Sequence, residues 1–124
     1  MKLSLIALIA IFSFSTFAAP KTKIATCSIP ATADEPAGKV VVTFKGGSVT
    51  AAKNFLVSYN QGEINKTVPA DVVTLSADKS VLGIVFMRFI TLKINDGQTS
   101  DSTMGVMLGA PAQEIECSAD FSRL

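Results

Sequence analysis

The sequence contains no histidine and no tryptophan, a single tyrosine and only two cysteines among its 124 residues. Without histidine, serine and cysteine nucleophiles that depend on an imidazole base are excluded, and so are most catalytic zinc sites. No Cys-x-x-Cys spacing occurs, which argues against a zinc or redox-active thiol site. We therefore expect a protein that is not an enzyme and that carries no metal and no cofactor.

An excess of either charge is also missing from this chain. The sequence has 11 basic and 10 acidic residues, and without Lys2 the two counts are equal. Binding to phosphate backbones requires clustered basic residues that release counterions, and anionic membrane surfaces attract the same kind of cluster. The balanced charge therefore argues against nucleic acid as a partner and against an anionic membrane surface.

Residues 1–18 have the layout of a cleaved secretory signal peptide. Lys2 precedes an apolar run that ends at about Phe14, and the small residue Ala18 suits a signal peptidase. The run is shorter than the roughly 20 residues that a membrane-spanning helix needs. The sequence predicts that residues 19–124 form one exported domain, periplasmic or extracellular, with no membrane span.

The two cysteines lie near the two ends of the predicted mature chain, at Cys27 and Cys117. In an exported protein of this size, a pair of cysteines most often forms a disulfide. The bond would join the first strand of the domain to the last, while a pair of reactive or metal-binding thiols is the disfavoured alternative.

The remainder of the chain alternates apolar and polar residues between turn-forming residues, which is typical of short β-strands. The predicted strands are Lys39–Lys45, Ser48–Tyr59, a segment from Ile64 that Pro69 interrupts, Val72–Leu75, Ser80–Ile94, Thr103–Leu108 and Gln113–Ala119. The pattern predicts an all-β antiparallel meander that closes into a small barrel, with a two-sheet β-sandwich as the alternative.

Tight turns separate these predicted strands. We expect them at Gly46-Gly47, Asn60-Gln61-Gly62, Ala77-Asp78-Lys79, Asn95-Asp96-Gly97 and Gly109-Ala110-Pro111, with the first a two-residue hairpin turn and residues 95–101 a loop. The apolar run Ser80–Ile94 is either one bent strand or two short strands with a kink near Gly83 or Arg88.

Arg88 lies in the middle of that apolar run and is the one residue whose context is unusual. Strict alternation would place it on the inner face, where it would need an acidic partner such as Asp96 or Asp101, or an anionic ligand. A bulge or turn at Met87-Arg88 would instead deliver the guanidinium group to solvent, and this alternative is favoured. Arg88 remains the single candidate ligand-binding residue.

Carboxylates and one serine provide the remaining candidates for chemistry. Glu114 and Glu116 fall on one face of the last predicted strand, where a solvated surface explains them better than an acid/base pair of a hydrolase. Ser76 and Lys79 match the two fixed letters of a serine acyl-enzyme motif, but they occur in a predicted turn and without the other motifs of that class. Met104 is interpreted as core filler.

Small exported barrels with a terminal disulfide include protease and lysozyme inhibitors and lipocalin-like carriers. By this analogy of architecture alone, the leading hypothesis is a non-enzymatic, inhibitor-like binding domain that contacts a protein partner through loops at one end, including residues 31–38. The alternative is a lipocalin-like carrier of a small apolar or anionic ligand, and a carboxylate-based hydrolase is the minor alternative.

Overall fold

Nine β-strands form one antiparallel sheet in the computed structural model, which describes residues 22–106 and 112–124, with only the backbone described at 98–100. The predicted signal peptide lies outside the described residues. The strands are β1 (Thr22–Ile29), β2 (Gly38–Phe44), β3 (Phe55–Gln61), β4 (Ile64–Pro69), β5 (Val72–Leu75), β6 (Val81–Phe86), β7 (Ile90–Asn95), β8 (Gly97–Val106) and β9 (Gln113–Ala119).

The sheet consists of two meanders that meet at β1 and β9. Its strand order is β4-β3-β2-β1-β9-β8-β7-β6-β5, and the whole sheet curls into a half-barrel. Cys27 and Cys117 lie directly opposite each other in the β1–β9 ladder and form a disulfide with an S–S distance of 2.08 Å. The predicted all-β, barrel-like meander and its disulfide between the first and last strands are therefore confirmed, and the sandwich alternative is not what forms.

The two edge strands, β4 and β5, are consecutive in the chain, and their connection spans the two halves of the sheet. The amide of Ala70 donates to the carbonyl of Phe55 in β3 (3.0 Å), and the amide of Asp71 donates to the carbonyl of Val85 in β6 (2.7 Å). The segment β4–β5 thus leaves one half of the sheet and joins the other. A buried Ala70 marks the joint.

Inward-pointing side chains from both meanders fill the space that the sheet encloses. Strands β2, β3, β6 and β7 alternate buried with less buried residues, as a half-buried sheet requires. Phe44 and Phe55 pack with ring centroids 4.9 Å apart, and Tyr59 meets Phe86 edge to face at 5.9 Å. The interior is therefore packed with side chains.

We call the two ends of the half-barrel the open end and the covered end. The open end holds loop 30–37, the turn at Gly62-Glu63 and the turn 87–89. At the covered end the last residues fold back over the core, where Phe121 and Leu124 are buried. The amide of Phe121 donates to Oδ1 of Asp96 (3.0 Å), and Nζ of Lys79 donates to the carbonyl of Leu124 (2.7 Å).

Two predicted stretches differ from the structure, and the first is Ser48–Tyr59. Its strand begins only at Phe55, because residues 45–54 form a closed loop that ends in a 3-10 turn, Ala52–Asn54. The amide of Lys45 donates to the carbonyl of Asn54 (2.8 Å), and Gly46 and Gly47 both have positive φ (98° and 91°). The predicted two-residue hairpin turn is therefore wrong. Val49, read as a strand residue, packs on the core from this loop.

The second difference is the polar stretch 95–101, which was expected to be a loop. Strand β8 begins at Gly97, whose φ of 93° allows the tight reversal after β7, and it pairs with β9 from that point. Backbone pairing does not depend on apolar side chains, so the polar residues extend the strand and a register shift between Thr99 and Ser102 adjusts it. Gly109-Ala110-Pro111 lies outside the described residues.

Several other predicted boundaries agree closely with the structure, but the turn expected at Asn60-Gln61-Gly62 lies at Gly62-Glu63, because Asn60 and Gln61 still pair with β4. The predicted end of the strand Thr103–Leu108 lies outside the described residues. Val72–Leu75 and Gln113–Ala119 are strands with those bounds, and the edge strand β4 begins at Ile64 and ends at Pro69. The run Ser80–Ile94 is two strands separated by the turn 87–89, in agreement with the predicted kink near Arg88.

Candidate functional site

A cleft of about 360 Å³ opens to solvent at the open end of the half-barrel, between the β3–β4 hairpin and the β6–β7 hairpin. We call it the open-end cleft. We call its apolar lining residues the apolar wall: Ile64, Met87, Phe89, Ile90, Met104 and Val106. We call its polar lining residues the polar wall: Glu35, Tyr59, Gln61 and Gln113. Gly105 also lines the cleft. A second depression of about 290 Å³ adjoins it and shares Glu35, Tyr59, Gln61 and Ile64 with it.

The rim of the open-end cleft exposes apolar surface. Among the described residues four large apolar side chains are strongly exposed: Ile64 (41%), Val72 (51%), Phe89 (48%) and Val106 (49%). Three of these four line the cleft, and the fourth, Val72, lies on β5 outside it. Clustered exposed apolar groups of this kind mark interaction sites, whereas scattered ones need no explanation.

The turn that carries Phe89 has an unusual backbone. Met87 and Arg88, at φ 53° and 73°, are both in the left-handed region without being glycine, which costs on the order of 1 kcal/mol each. Asp71 holds this turn from the β4–β5 joint, since its Oδ2 accepts the amide of Arg88 at 2.7 Å. The turn that displays Phe89 is therefore fixed from a neighbouring part of the fold.

Arg88 itself is exposed at the tip of this turn. The favoured interpretation, a turn at Met87-Arg88 that carries the guanidinium group to solvent, is confirmed, and the inward position that strict alternation suggested is wrong. The physical reason is the turn, which interrupts the alternation between Phe86 and Ile90. Oδ1 of Asp96, one expected partner, accepts the amide of Phe121 instead. A ligand-binding role of Arg88 stays a prediction.

Two residues of the polar wall, Tyr59 and Gln61, form a hydrogen-bonded chain that continues to loop 30–37. Tyr59 as a residue is only 6% exposed, and its hydroxyl donates to Oε1 of Gln61. Nε2 of Gln61 donates to the carbonyl of Pro36 at 2.9 Å. Gln61 thereby ties loop 30–37 to β3. Burial raises the pKa of the Tyr59 hydroxyl, and the nearby Glu35 carboxylate raises it further.

Loop 30–37 has its own internal order. Thr32 accepts the amides of Asp34 and Glu35 through Oγ1 (3.3 and 3.1 Å), and its own amide donates to the carbonyl of Glu35 (2.8 Å). These bonds form a compact side-chain-capped turn. Thr32 holds Glu35 from one side, and the hydrogen bond from Gln61 to Pro36 holds it from the other. These contacts place Glu35 near Tyr59 in the lining of the cleft.

The other residues singled out from the sequence lie elsewhere. Glu114 and Glu116 are exposed on the outer face of β9, while Ile115 and Cys117 between them face the core, as expected.

Ser76 and Lys79, the residues of the serine acyl-enzyme pattern, make separate structural contacts. Ser76 Oγ donates to Oδ1 of Asp78 (2.8 Å) in an ordinary turn, and Lys79 Nζ is bound to the carbonyl of Leu124. Both side chains therefore form structural hydrogen bonds at the covered end of the half-barrel.

Sequence reasoning missed the open-end cleft as a site. It placed residues 31–38 in an exposed loop, and it assigned Met104 to the core, against which that residue does pack while also lining the cleft. It gave no role to Tyr59, Gln61 or Phe89, because their convergence depends on which ends of strands meet. The sequence signal that could have indicated this site is the aromatic residue Phe89 next to Arg88, at the turn that the alternation pattern already allowed.

Among the described residues, no helix is long and apolar enough to cross a membrane. Comparison of the chain with protein-family models, with curated proteins and with solved structures finds no match.

Proposed function

We propose that this protein is an exported, non-enzymatic binding domain, inhibitor-like in architecture, that contacts a protein partner through its open end. The observation that carries the proposal is the rim of Ile64, Phe89 and Val106 around the open-end cleft. Aromatic and methionine side chains are enriched at the centres of protein interfaces. Met87 and Met104 in the wall and Phe89 on the rim fit that composition.

Preorganisation of the surface supports the same proposal. The cleft is framed by a disulfide-linked sheet, a turn held by Asp71 and a loop tied down by Gln61. A surface already in its binding conformation loses less entropy on association, so more of the contact energy is available as affinity. The strained backbone at Met87 and Arg88 fits a turn whose proposed role is to hold Phe89 in one position.

The filled interior favours a protein partner over a carried ligand. Tyr59, Phe86 and the other core side chains occupy the space where a lipocalin-like carrier would hold its ligand. Pockets for small molecules enclose most of the ligand surface. Here three lining side chains are themselves about half exposed, which suits a convex partner that covers them.

The proposed location is the periplasm or the extracellular medium. The disulfide between Cys27 and Cys117 is typical of oxidising compartments, and it agrees with the signal peptide predicted for residues 1–18.

The test captures a partner with three forms of the mature protein: wild type, Ile64→Ser/Phe89→Ser, and Val72→Ser as the matched control. Val72 is as exposed as Phe89 but lies outside the cleft. We expect one protein, identified by mass spectrometry, to bind wild type and Val72→Ser, and to bind the double variant at least roughly 30-fold more weakly when both components are purified.

Equal binding by all three forms would refute the proposal. A small molecule that co-purifies with wild type in native mass spectrometry, and is lost from the double variant, would replace the protein partner by a carried ligand.

A further inference from the structure

The polar wall of the open-end cleft offers hydrogen-bond acceptors and negative charge. Glu35 lies in this wall, and Glu63 borders the adjoining depression. Neither carboxylate forms an ion pair within residues 22–106 and 112–124. Behind burial, the Glu35 carboxylate is the second cause that raises the pKa of the Tyr59 hydroxyl.

The neutral groups of this wall point to the same kind of ligand. The Tyr59 hydroxyl donates its proton to Gln61, so its oxygen can accept a further bond, and Oε1 of Gln61 has a second lone pair. One Nε2 proton of Gln61 is used on Pro36. Lys66 and Arg88 lie on elements that border the cleft, but neither side chain lines it.

The same cleft offers these acceptors an apolar neighbourhood: Ile64 lies directly opposite Gln61 in the β3–β4 ladder, and Met87 and Met104 also line the cleft. Lysine and arginine have apolar stems and charged heads, and they commonly lay the stem on apolar surface while the head reaches a polar group. The three donors of an ammonium group match a wall that presents a carboxylate and two neutral acceptor oxygens.

We infer that the open-end cleft receives a basic side chain of the protein partner, its stem against the apolar wall and its cationic head at Glu35, Tyr59 and Gln61. This inference rests on the proposed function and names the partner chemistry at that site.

The experiment uses isotope-labelled mature protein in an NMR titration with three probes: acetyl-Leu-Lys-Leu-amide, the same peptide with norleucine in place of lysine, and the same peptide with glutamate there. We expect the lysine peptide to shift the amide signals of Glu35, Gln61 and Phe89 and to bind more tightly than the other two. Its affinity should fall as salt is raised from 0.02 to 0.5 M, because screening weakens a charge contact of this exposure.

Glu35→Gln is expected to weaken the lysine peptide roughly three- to fivefold, in the range of a partly exposed ion pair, and to leave the norleucine peptide unchanged. Asp34→Asn is the matched control, since it removes the same charge one residue away from a side chain that does not line the cleft. Its affinity for the lysine peptide should remain that of wild type.

Equal binding of the lysine and norleucine peptides, or equal weakening by Glu35→Gln and Asp34→Asn, would overturn the inference and leave the proposed function standing. Absence of any shift with the lysine peptide would also overturn it. The proposed function fails on a different result, the indifference of partner capture to Ile64→Ser/Phe89→Ser.

Discussion

Breaking the disulfide is expected to destabilise this protein strongly, because the bond crosses the junction of the two meanders. Cys27 and Cys117 are separated by 90 residues in the chain, and both are buried. The β1–β9 ladder around them pairs only the four residues Ala25, Thr26, Cys27 and Ser28 of β1. The bond thus reinforces a short ladder at the junction of the two halves.

The magnitude follows from the length of the closed loop. The chain-entropy model gives about 4.6 kcal/mol at 25 °C for a loop of 90 residues, since the cross-link restricts the unfolded chain. Losses of native disulfides in small exported domains fall at about 2–5 kcal/mol. We expect reduction of the disulfide to lower the free energy of unfolding by roughly 2–4.6 kcal/mol.

The assay is urea unfolding of the oxidised protein, of the same protein reduced, and of Cys27→Ala/Cys117→Ala. The reduced wild type isolates the effect of the bond, because it keeps both cysteine side chains, whereas the double alanine variant also changes those buried side chains. The denaturant dependence of the unfolding free energy should also be steeper without the bond, since the uncrosslinked unfolded chain exposes more surface. A loss below about 1 kcal/mol in the reduced protein would refute the reasoning.

Three further changes have defined outcomes. The single tyrosine makes the titration of Tyr59 directly visible at 295 nm: its pKa should exceed the ordinary value of about 10, stability should fall as the pH rises through that raised pKa, and Glu35→Gln should lower the pKa. Arg88→Gly should raise the free energy of unfolding by roughly 0.5–1 kcal/mol, because glycine adopts a φ of 73° without strain. The control Lys93→Gly, within β7, should lower the free energy of unfolding, and a decrease in both variants would count against strain at the turn. Phe86→Ala removes a fully buried ring and should cost roughly 3–5 kcal/mol in urea unfolding, whereas a cost near zero would mean that the interior is not packed as described.

Much of the fold could be predicted from local sequence signals. Strands such as Val72–Leu75 and Gln113–Ala119 alternate clearly and are bounded by turn-forming residues, and Pro69 marks the end of an edge strand. The pairing of Cys27 with Cys117 followed from the predicted export signal and from the absence of other cysteines in the sequence.

The misplaced segments show where the local signal ends. Val49 packs on the covered end of the core from a loop, so its apolar character reflects this tertiary contact. In the sequence, the same apolar residue looks like part of an alternating strand. The polar start of β8 is a strand because β9 lies beside it, which its own residues do not indicate. Both errors concern contacts with distant parts of the chain.

The open-end cleft could not be predicted for the same reason. Glu35, Tyr59 and Phe89 come from three separate elements, and the curl of the sheet brings those elements together. Sequence reasoning selected Arg88, the residue with the most unusual local context. The structure instead gives its neighbour Phe89 the more prominent position, because the turn at Arg88 exposes that ring at the rim of the cleft.

The most direct test of the central claim is site-specific photocrosslinking of the protein in its native compartment. A photoreactive phenylalanine replaces Phe89 in one variant and Val72 in the other, two positions of nearly equal exposure, 48% and 51%. Binding through the open-end cleft predicts one discrete protein adduct from position 89 and none from position 72. Adducts from both positions alike, or from position 72 alone, would contradict it.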